Sequence, residues 1–246
     1  MNADVVEYTV EGAVGTVRLN RPQRRNAVDE EVIKAWEAVL ADLERPESPI
    51  RCVVLTSARC GVFCAGADLD YLASVIQAGA GDAWSRRVTT ILDRLWLGPQ
   101  VVIGAVHGLA VGGGCELVTA CHLVVAEEDA AFQFVHAEKG LSTGWGGGLR
   151  LLRNLGRARA LRLFLTADRI DAAEALRLGM ASKLVPPGTV ETEAAVLAER
   201  VAGLSPASVQ AFLDLARSEA TENFRAVRER EIELFGLLSR PPSPSA

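Results

Sequence analysis

Short hydrophobic segments and longer amphipathic segments alternate along the first half of the chain. Residues 5–10 and 13–19 are rich in Val and predict two strands joined by a hairpin at Gly12, where glycine favours a tight turn. Residues 52–57 and 101–106 are β-branched runs that predict strands buried on both faces. The pattern also predicts helices over 29–45, 68–78, 83–97 and 114–120 and strands over 122–126 and 131–135.

The pattern after Trp145 is almost wholly helical. Strands that alternate with helices before that point indicate an α/β layered domain, and the remainder indicates a helical appendage. We therefore predict an α/β core over residues 1–186, a helical region over 187–240 and a proline- and serine-rich tail without fixed structure over 241–246. The helices predicted after Trp145 span 157–166, 171–178, 190–203, 206–221 and 222–238.

Composition narrows the classes of function. The 246 residues are 49% hydrophobic, which is enough to fill a large core, and the net charge of -5 leaves no basic stripe for nucleic acid. The five cysteines form no CxxC pair and have no histidine at zinc-ligand spacing, so we expect a reduced chain without a metal site. No signal-peptide pattern is present, and no apolar run approaches about 18 residues. We therefore expect a cytoplasmic protein with no membrane or nucleic-acid partner.

Two glycine-containing junctions stand out in the predicted core. Residues 63–69 (FCAGADL) and 107–117 (HGLAVGGGCEL) each run from a strand through small residues into a helix. Small residues let backbone N–H groups approach a ligand, and the first turn of a helix has N–H groups without acceptors. Two such junctions side by side would hold one oxyanion, and losing one donor costs about 3 to 4 kcal/mol. Glycines that serve packing alone are the alternative.

Three further side chains are candidates for chemistry. Glu116 lies about one helical turn beyond the middle glycine of GGG, so its carboxylate either points back toward a ligand at the helix start or is solvated there. His136 ends a predicted strand on the same face as two phenylalanines, where it is either a core residue or a proton carrier near neutral pH. Trp145 opens a second glycine cluster, which either caps a helix or forms a wall beside a substrate.

The two junctions together resemble the crotonase (enoyl-CoA hydratase/isomerase) superfamily, and RLNRPQRRNAVDEE resembles its N-terminal hairpin and first helix. The likeness runs from about Val6 to about Val185. It implies a ββα spiral core with a helical C-terminal trimerisation region, and assembly as a homotrimer or a dimer of trimers. It also implies an acyl-CoA thioester substrate, with coenzyme A as part of the substrate and no separate cofactor.

The resemblance also implies roles for individual residues. The backbone N–H groups of Ala67 and Gly113 would form the oxyanion hole that stabilises a thioester enolate. Glu116 and His136 would be the catalytic side chains. The residues implied to line the CoA and acyl site are Arg24, Arg25, Ala27, Ala65, Gly66, Asp68, Leu69, Gly112 and Trp145.

His136 separates this chain from the usual hydratase pattern. Hydratases of the superfamily use one glutamate at the position of Glu116 and a second at the position of His136, and replacing an acid by imidazole changes both charge and reach. The segments FVHAEKGLSTGWGGGLRLL and EREIELFG are similar instead to ethylmalonyl-CoA decarboxylase. There His136 would bind the substrate carboxylate or protonate the enolate, while Glu116 positions the groups around it.

We therefore predict a CoA-thioester lyase that decarboxylates ethylmalonyl-CoA or methylmalonyl-CoA. Loss of CO2 from such a substrate needs no general base to begin, because the oxyanion hole stabilises the enolate that forms. The alternatives are an enoyl-CoA hydratase or isomerase acting on a 2-enoyl-CoA, and a non-catalytic acyl-CoA-binding homologue.

Overall fold

The computed structural model describes residues 4–221, 228, 229, 231–233, 235 and 236. Its strands form two sheets. The strands are β1 (Val6–Glu11), β2 (Val14–Leu19), β3 (Cys52–Ser57), β4 (Val62–Cys64), β5 (Val101–Val106), β6 (Leu109–Val111), β7 (Leu123–Glu127), β8 (Ala131–Gln133), β9 (Ile170–Asp171) and β10 (Lys183–Val185). The first sheet has the order β1-β2-β3-β5-β7-β10, antiparallel between β1 and β2 and parallel elsewhere. The second has the order β4-β6-β8-β9, in which the β8-β9 pair is antiparallel.

Helices surround the six-stranded sheet and fill the C-terminal part of the described chain. They are α1 (Glu30–Leu43), α2 (Leu69–Gln77), α3 (Gly81–Trp96), α4 (Gly113–Thr119), α5 (Gly147–Leu155), α6 (Arg157–Thr166), α7 (Ala172–Leu178), α8 (Val190–Ala202) and α9 (Pro206–Thr221). Two short 3-10 helices span Pro22–Arg24 and Ala137–Lys139.

The central strands of the six-stranded sheet are buried on both faces. Val53 and Leu55 of β3 face one hydrophobic cluster, whereas Cys52 and Val54 face another. Side chains alternate between the two faces of a strand, so a continuous apolar run such as CVVLTS requires cover on both sides. One face carries α1 and α3, and the other carries α8 through a stripe of small residues formed by Val190, Ala194, Ala198 and Ala202.

Helix α1 begins and ends close to the predicted bounds. Asp29 is its N-cap, and the Asp29 carboxylate accepts hydrogen bonds from the backbone N–H groups of Glu31 and Val32, each at 3.1 Å. The apolar positions that predicted the helix form its buried face, which comprises Val32, Ile33, Trp36, Val39, Leu40 and Leu43.

The predicted α/β core and helical C-terminal part are confirmed. The hairpin at Gly12 is confirmed as well, because Glu11 of β1 pairs with Val14 of β2. The sequence pattern does not predict β4, β6, β9 and β10, because two or three residues are too few to show a period. It also misses α5, whose first residues are glycines.

Two predicted segments fall partly or wholly outside the described residues. The described residues within 222–238 are helical, and the others in that range lie outside the description, as does the predicted tail over 241–246. Helix α8 belongs to the predicted helical region and packs directly on the sheet, and the boundary at residue 186 stays a prediction. Within the described residues, no helix combines the length and apolar character needed to cross a membrane.

Gly114 allows the N-terminus of α4 to lie against the second sheet. A Cβ atom built on Gly114 would overlap the carbonyl oxygen of Cys64, the last residue of β4. Backbone from two different elements is therefore in direct contact, which only glycine permits at this position.

We expect Gly114→Ala to lower the free energy of unfolding by about 1 to 3 kcal/mol, because α4 must shift away from β4. Urea denaturation with an equilibrium fit measures this. Gly203→Ala is the matched control, since a Cβ there would lie 3.4 Å from the Glu199 carbonyl oxygen and the residue has a φ of -78°. Equal midpoints for the two variants would contradict the expectation.

Candidate active site

The first glycine junction leaves the N–H group of Ala67 without a backbone partner in the described chain. Ala67 forms a parallel bridge with Val28, in which the Val28 N–H donates to the Gly66 carbonyl at 2.8 Å and the Asp68 N–H donates to the Val28 carbonyl at 2.9 Å. Both flanking residues thus bond toward Val28, and the Ala67 N–H points away from it. Gly66 adopts a φ of +84°, which favours glycine.

The second junction brings another N–H group to the same place. Gly113 is the first residue of α4, so its N–H has no acceptor within the helix. The preceding Gly112 has a φ of +53°, and its own N–H donates to the Gln133 carbonyl at 2.9 Å. A Cβ atom on Gly66 would lie only 2.8 Å from the Gly113 nitrogen, so the two junctions touch.

Trp145 covers Gly113 from the other side. A Cβ on Gly113 would lie 2.5 Å from the Trp145 ring, and Trp145 is buried against Trp84 in an edge-to-face contact with ring centroids 5.9 Å apart. The tryptophan therefore forms a fixed wall beside the Gly113 amide. Trp145 is not the cap of the following helix, because Gly146 is the N-cap of α5.

Glu116 is buried, with an exposed fraction of 1%, and its carboxylate is saturated with hydrogen bonds. One oxygen accepts from His136 Nε2 at 3.1 Å and from the Gly144 N–H at 3.3 Å. The other accepts from the N–H groups of Trp145 at 2.8 Å and Gly147 at 3.0 Å. Four donors fill the four lone-pair sites of a carboxylate, so the alternative of a solvated Glu116 is wrong.

These donors decide the ionisation of Glu116. Burial alone would raise the pKa of Glu116, but the hydrogen bond and positive charge of His136, together with the amides of Trp145 and Gly147, outweigh burial and hold this pKa below its usual range. Glu116 is therefore a carboxylate at neutral pH, and it forms an ion pair with His136 whenever the imidazole is protonated.

His136 lies beyond the strand on which the sequence pattern places it. Strand β8 ends at Gln133, and His136 has the helical angles of the residue before the 3-10 helix Ala137–Lys139. The predicted strand position of His136 is therefore wrong, because a turn follows Phe134. This turn directs Nε2 to Glu116, while Nδ1 is buried and has no hydrogen-bond partner among the described residues.

The segment predicted to line the CoA path lies beside the first junction. The Ala65 N–H donates to the Arg25 carbonyl at 3.1 Å, and Arg25 and Asn26 both have positive φ. The Asn26 side chain fixes this unusual turn by donating to the carbonyls of Ala58 at 2.9 Å and Val62 at 3.0 Å. Sequence reasoning misses Asn26, because an asparagine in a loop gives no pattern.

The predicted lining residues differ in what their side chains can do. The Asp68 carboxylate is buried, caps α2 and pairs with Arg21 at 3.3 Å, so only the Asp68 backbone faces this segment. Leu69 is exposed and Arg24 pairs with Asp70 at 3.2 Å on the surface. Ala27 is buried next to these residues.

Comparison with known proteins identifies the family to which this chain belongs. A family model described as enoyl-CoA hydratase/isomerase matches residues 9–240. The chain is 34% identical to a short-chain-enoyl-CoA hydratase of Clostridium acetobutylicum, over 81% of this chain and 76% of that protein. It is 36% identical to a putative enoyl-CoA hydratase of Thermus thermophilus, over 81% of this chain and 78% of that protein. This chain belongs to the enoyl-CoA hydratase/isomerase family.

Solved structures agree with this family assignment. An enoyl-CoA hydratase from Bacillus anthracis is similar with a TM-score of 0.82 and 28% identity, covering 93% of this chain and 89% of that one. A putative enoyl-CoA hydratase/isomerase from Acinetobacter baumannii is similar with a TM-score of 0.88 and 26% identity, covering 98% of this chain and 96% of that one. The predicted crotonase-type α/β fold is therefore confirmed.

Arg150 supports the loop that holds Glu116, and sequence reasoning misses it. Its side chain is fully buried, and the guanidinium donates to the carbonyls of Trp145 at 2.7 Å and Glu116 at 3.3 Å. It also pairs with Asp93 at 3.4 Å. An arginine in an amphipathic helix normally indicates a surface position, so no local signal marks Arg150 as buried.

We expect Glu116→Gln to destabilise the protein by about 1 to 3 kcal/mol at pH 7, because an amide NH2 would face buried N–H donors. Since the pKa of Glu116 is lowered in the folded state, its stabilising contribution is present above the unfolded value of 4.5 and is lost as pH falls through the folded value. The gap between wild type and variant should therefore close in acid. Urea midpoints between pH 7 and pH 3 measure it.

Glu138→Gln is the control for this measurement, because Glu138 is an exposed acid in the adjacent turn. The control should follow the wild type at each pH. A Glu116→Gln variant with wild-type midpoints throughout would show that the four hydrogen bonds contribute no net stability.

Proposed function

We propose that this protein binds an acyl-CoA thioester and stabilises its enolate between the N–H groups of Ala67 and Gly113. The contact between Gly66 and Gly113 and the two N–H groups without backbone acceptors support this proposal. Fixed backbone donors stabilise the charge that develops on a thioester oxygen without having to reorganise during the reaction. The segment from Arg24 to Ala27 and the backbone from Ala65 to Leu69 would bind the coenzyme A portion.

Glu116 and His136 would supply the proton chemistry. The pair combines a carboxylate, which can take a proton, with an imidazole, which can give one when protonated. Two glutamates that share one proton also provide one proton donor and one proton acceptor. Replacing one of them by His136 therefore keeps a proton donor beside a proton acceptor. The proposed chemistry uses no separate cofactor or metal ion, and coenzyme A enters as part of the substrate.

The leading reaction is the addition of water to a 2-enoyl-CoA, or migration of its double bond. The names of the relatives support this activity. In hydration, the oxygen of water bonds to the β-carbon while Glu116 takes a water proton, and His136 delivers a proton to the α-carbon of the enolate. Water would reach Glu116 most readily by replacing the Gly144 N–H, whose contact of 3.3 Å is the longest of the four.

Decarboxylation is the second candidate, and the saturated Glu116 carboxylate favours it. With four donors in place, Glu116 has no lone pair free to activate water. Of the Glu116–His136 pair, only His136 has a polar atom, Nδ1, without a hydrogen-bond partner among the described residues. In this reaction the bond between the α-carbon and the substrate carboxylate breaks and CO2 leaves. The electron pair of that bond forms the enolate, and His136 protonates the α-carbon. A 2-alkylmalonyl-CoA such as ethylmalonyl-CoA would be the substrate.

A side-by-side assay separates the two reactions. Purified protein is incubated with crotonyl-CoA and, in parallel, with ethylmalonyl-CoA, each with and without EDTA, and 3-hydroxyacyl-CoA and CO2 are measured. We expect hydration to be the faster reaction and EDTA to have no effect. CO2 release without hydration would establish decarboxylation, and tight CoA binding with no turnover would establish a non-catalytic acyl-CoA-binding protein.

We expect His136→Gln to lower turnover by about 10²-fold, because the amide keeps a hydrogen bond to Glu116 but carries no transferable proton. Steady-state kinetics with the better substrate measures the effect. Glu138→Gln serves again as the exposed control and should keep wild-type activity. Full activity in His136→Gln would remove His136 from the mechanism.

We also propose that the protein assembles as a homotrimer or a dimer of trimers. Helix α9 leaves Phe212 and Leu215 exposed by 72% and 67%, and a partner chain would cover them. Size-exclusion chromatography with light scattering should give the mass of three or six chains. Replacing both residues by Ser should shift the protein to smaller species, whereas a wild type that elutes as a single chain would refute the assembly.

A further inference from the structure

The described residues near the C-terminus pack against the loop that holds Glu116. We define the 143–148 loop as residues 143–146 together with Gly147 and Gly148, the first two residues of α5. Phe235 stacks on Trp84 with ring centroids 6.1 Å apart, and a Cβ on Gly144 would lie 2.7 Å from the Phe235 ring. This loop is therefore enclosed between the α4 side of the site and the C-terminal segment.

Glu231 of this segment binds the loop directly. Its carboxyl oxygen Oε1 accepts hydrogen bonds from the Thr143 hydroxyl and from the Gly148 N–H, the latter at 2.9 Å. Glu231 is buried, with an exposed fraction of 8%. Its Oε2 is also buried and has no hydrogen-bond partner among the described residues.

The 143–148 loop thus lies between two buried carboxyl groups. Glu116 binds the N–H groups of Gly144, Trp145 and Gly147, and Glu231 binds the two ends of the loop at Thr143 and Gly148. Glycines permit this arrangement. A Cβ on Gly147 would lie 2.5 Å from Glu116 Cγ, and one on Gly148 would lie 2.7 Å from Glu231 Oε1.

The fixed charges near Glu231 come from three elements. Arg150 of α5 and Arg228 of the C-terminal segment both pair with Asp93 of α3, through different carboxylate oxygens. Arg228 also contacts Glu229 at 3.7 Å, and the charges that act on Glu231 itself are the Glu116 carboxylate and the Arg150 guanidinium, one negative and one positive.

An ionised Glu231 would upset this balance. It would add a second negative charge next to Glu116, against the single positive charge of Arg150. A protonated Glu231 adds no charge beside Glu116 and still accepts from Thr143 and Gly148 through Oε1. The mechanism proposed above does not use Glu231, so its burial here has another role.

We propose that Glu231 is a positioning residue of the active site. It holds the 143–148 loop from the side opposite Glu116, and its proton keeps a second negative charge away from the Glu116–His136 pair. Ionisation of Glu231 repels Glu116 and loosens the loop that carries the N–H donors of Glu116. The inference about catalysis rests on the proposed function, whereas the ionisation itself can be tested without turnover.

Burial and the neighbouring Glu116 charge raise the pKa of Glu231 to about 7. Because the folded value lies above the unfolded value of 4.5, the stabilising contribution of the protonated group is complete below pH 4.5 and is lost as pH rises through about 7. Glu231→Gln has the shape and charge of the protonated form, so the variant does not undergo this loss.

Equilibrium unfolding in urea provides the test that is independent of activity. Relative to wild type, the midpoint of Glu231→Gln should move upward as pH rises from 5 to 8, at one fixed protein concentration. Glu138→Gln removes the same charge from an exposed position outside this segment, and its offset from wild type should stay constant. A constant offset for Glu231→Gln as well would overturn the proposal.

The pH dependence of turnover tests the positioning role. Between pH 6 and pH 8.5 we expect wild type to lose more activity than Glu231→Gln, by a factor of roughly three or more. Glu231→Ala removes the Oε1 atom that accepts both hydrogen bonds and should lower kcat at every pH. Parallel profiles for wild type and Glu231→Gln would refute positioning through charge, even if the unfolding data confirm the ionisation. If no acyl-CoA is turned over, the urea unfolding experiment still shows whether Glu231 ionises between pH 5 and pH 8.

Discussion

The buried carboxylate of Glu116 is the group around which the site is built. Its four donors come from a turn after β8 and from the loop before α5, so one side chain joins three separate parts of the chain. An ionised carboxylate in an apolar interior is tolerated only with such a set of partners. The same interactions that allow Glu116 to be buried therefore also place His136 and Trp145 beside Gly113.

Glycine makes these contacts possible in two different ways. At Gly66 and Gly112 a positive φ turns the chain so that the two junctions meet. At Gly114 and Gly147 the absence of Cβ lets backbone or side chain of another element lie directly against the main chain. The first use shapes the proposed oxyanion hole, and the second brings α4 and α5 close enough for Glu116 to reach the loop. Packing and function are not alternatives for these glycines, because the packing creates the site.

His136 is the side-chain partner of Glu116. Its Nε2 fills one lone-pair site of the Glu116 carboxylate, and the N–H groups of Gly144, Trp145 and Gly147 fill the others. Water reaches this carboxylate only by replacing one of these donors, and the Gly144 contact at 3.3 Å is the longest of them. That contact belongs to the 143–148 loop, so the C-terminal segment and Glu231 are connected to Glu116 through this loop.

The amino-acid sequence by itself determined the order of the core strands and helices other than β4, β6, β9, β10 and α5, the hairpin at Gly12, the start of α1 after Asp29 and the family motifs around Ala67 and Gly113. Each of these depends on local periodicity or on a contiguous motif. Only the tertiary structure decided that Glu116 is buried and saturated, that His136 follows a turn rather than a strand, and that Asp68 is occupied by Arg21. Arg150 and Glu231 also emerge only there. Apart from the Trp145 carbonyl, five positions from Arg150, their partners lie 31 to 115 positions away in the chain. No local pattern carries information about such contacts.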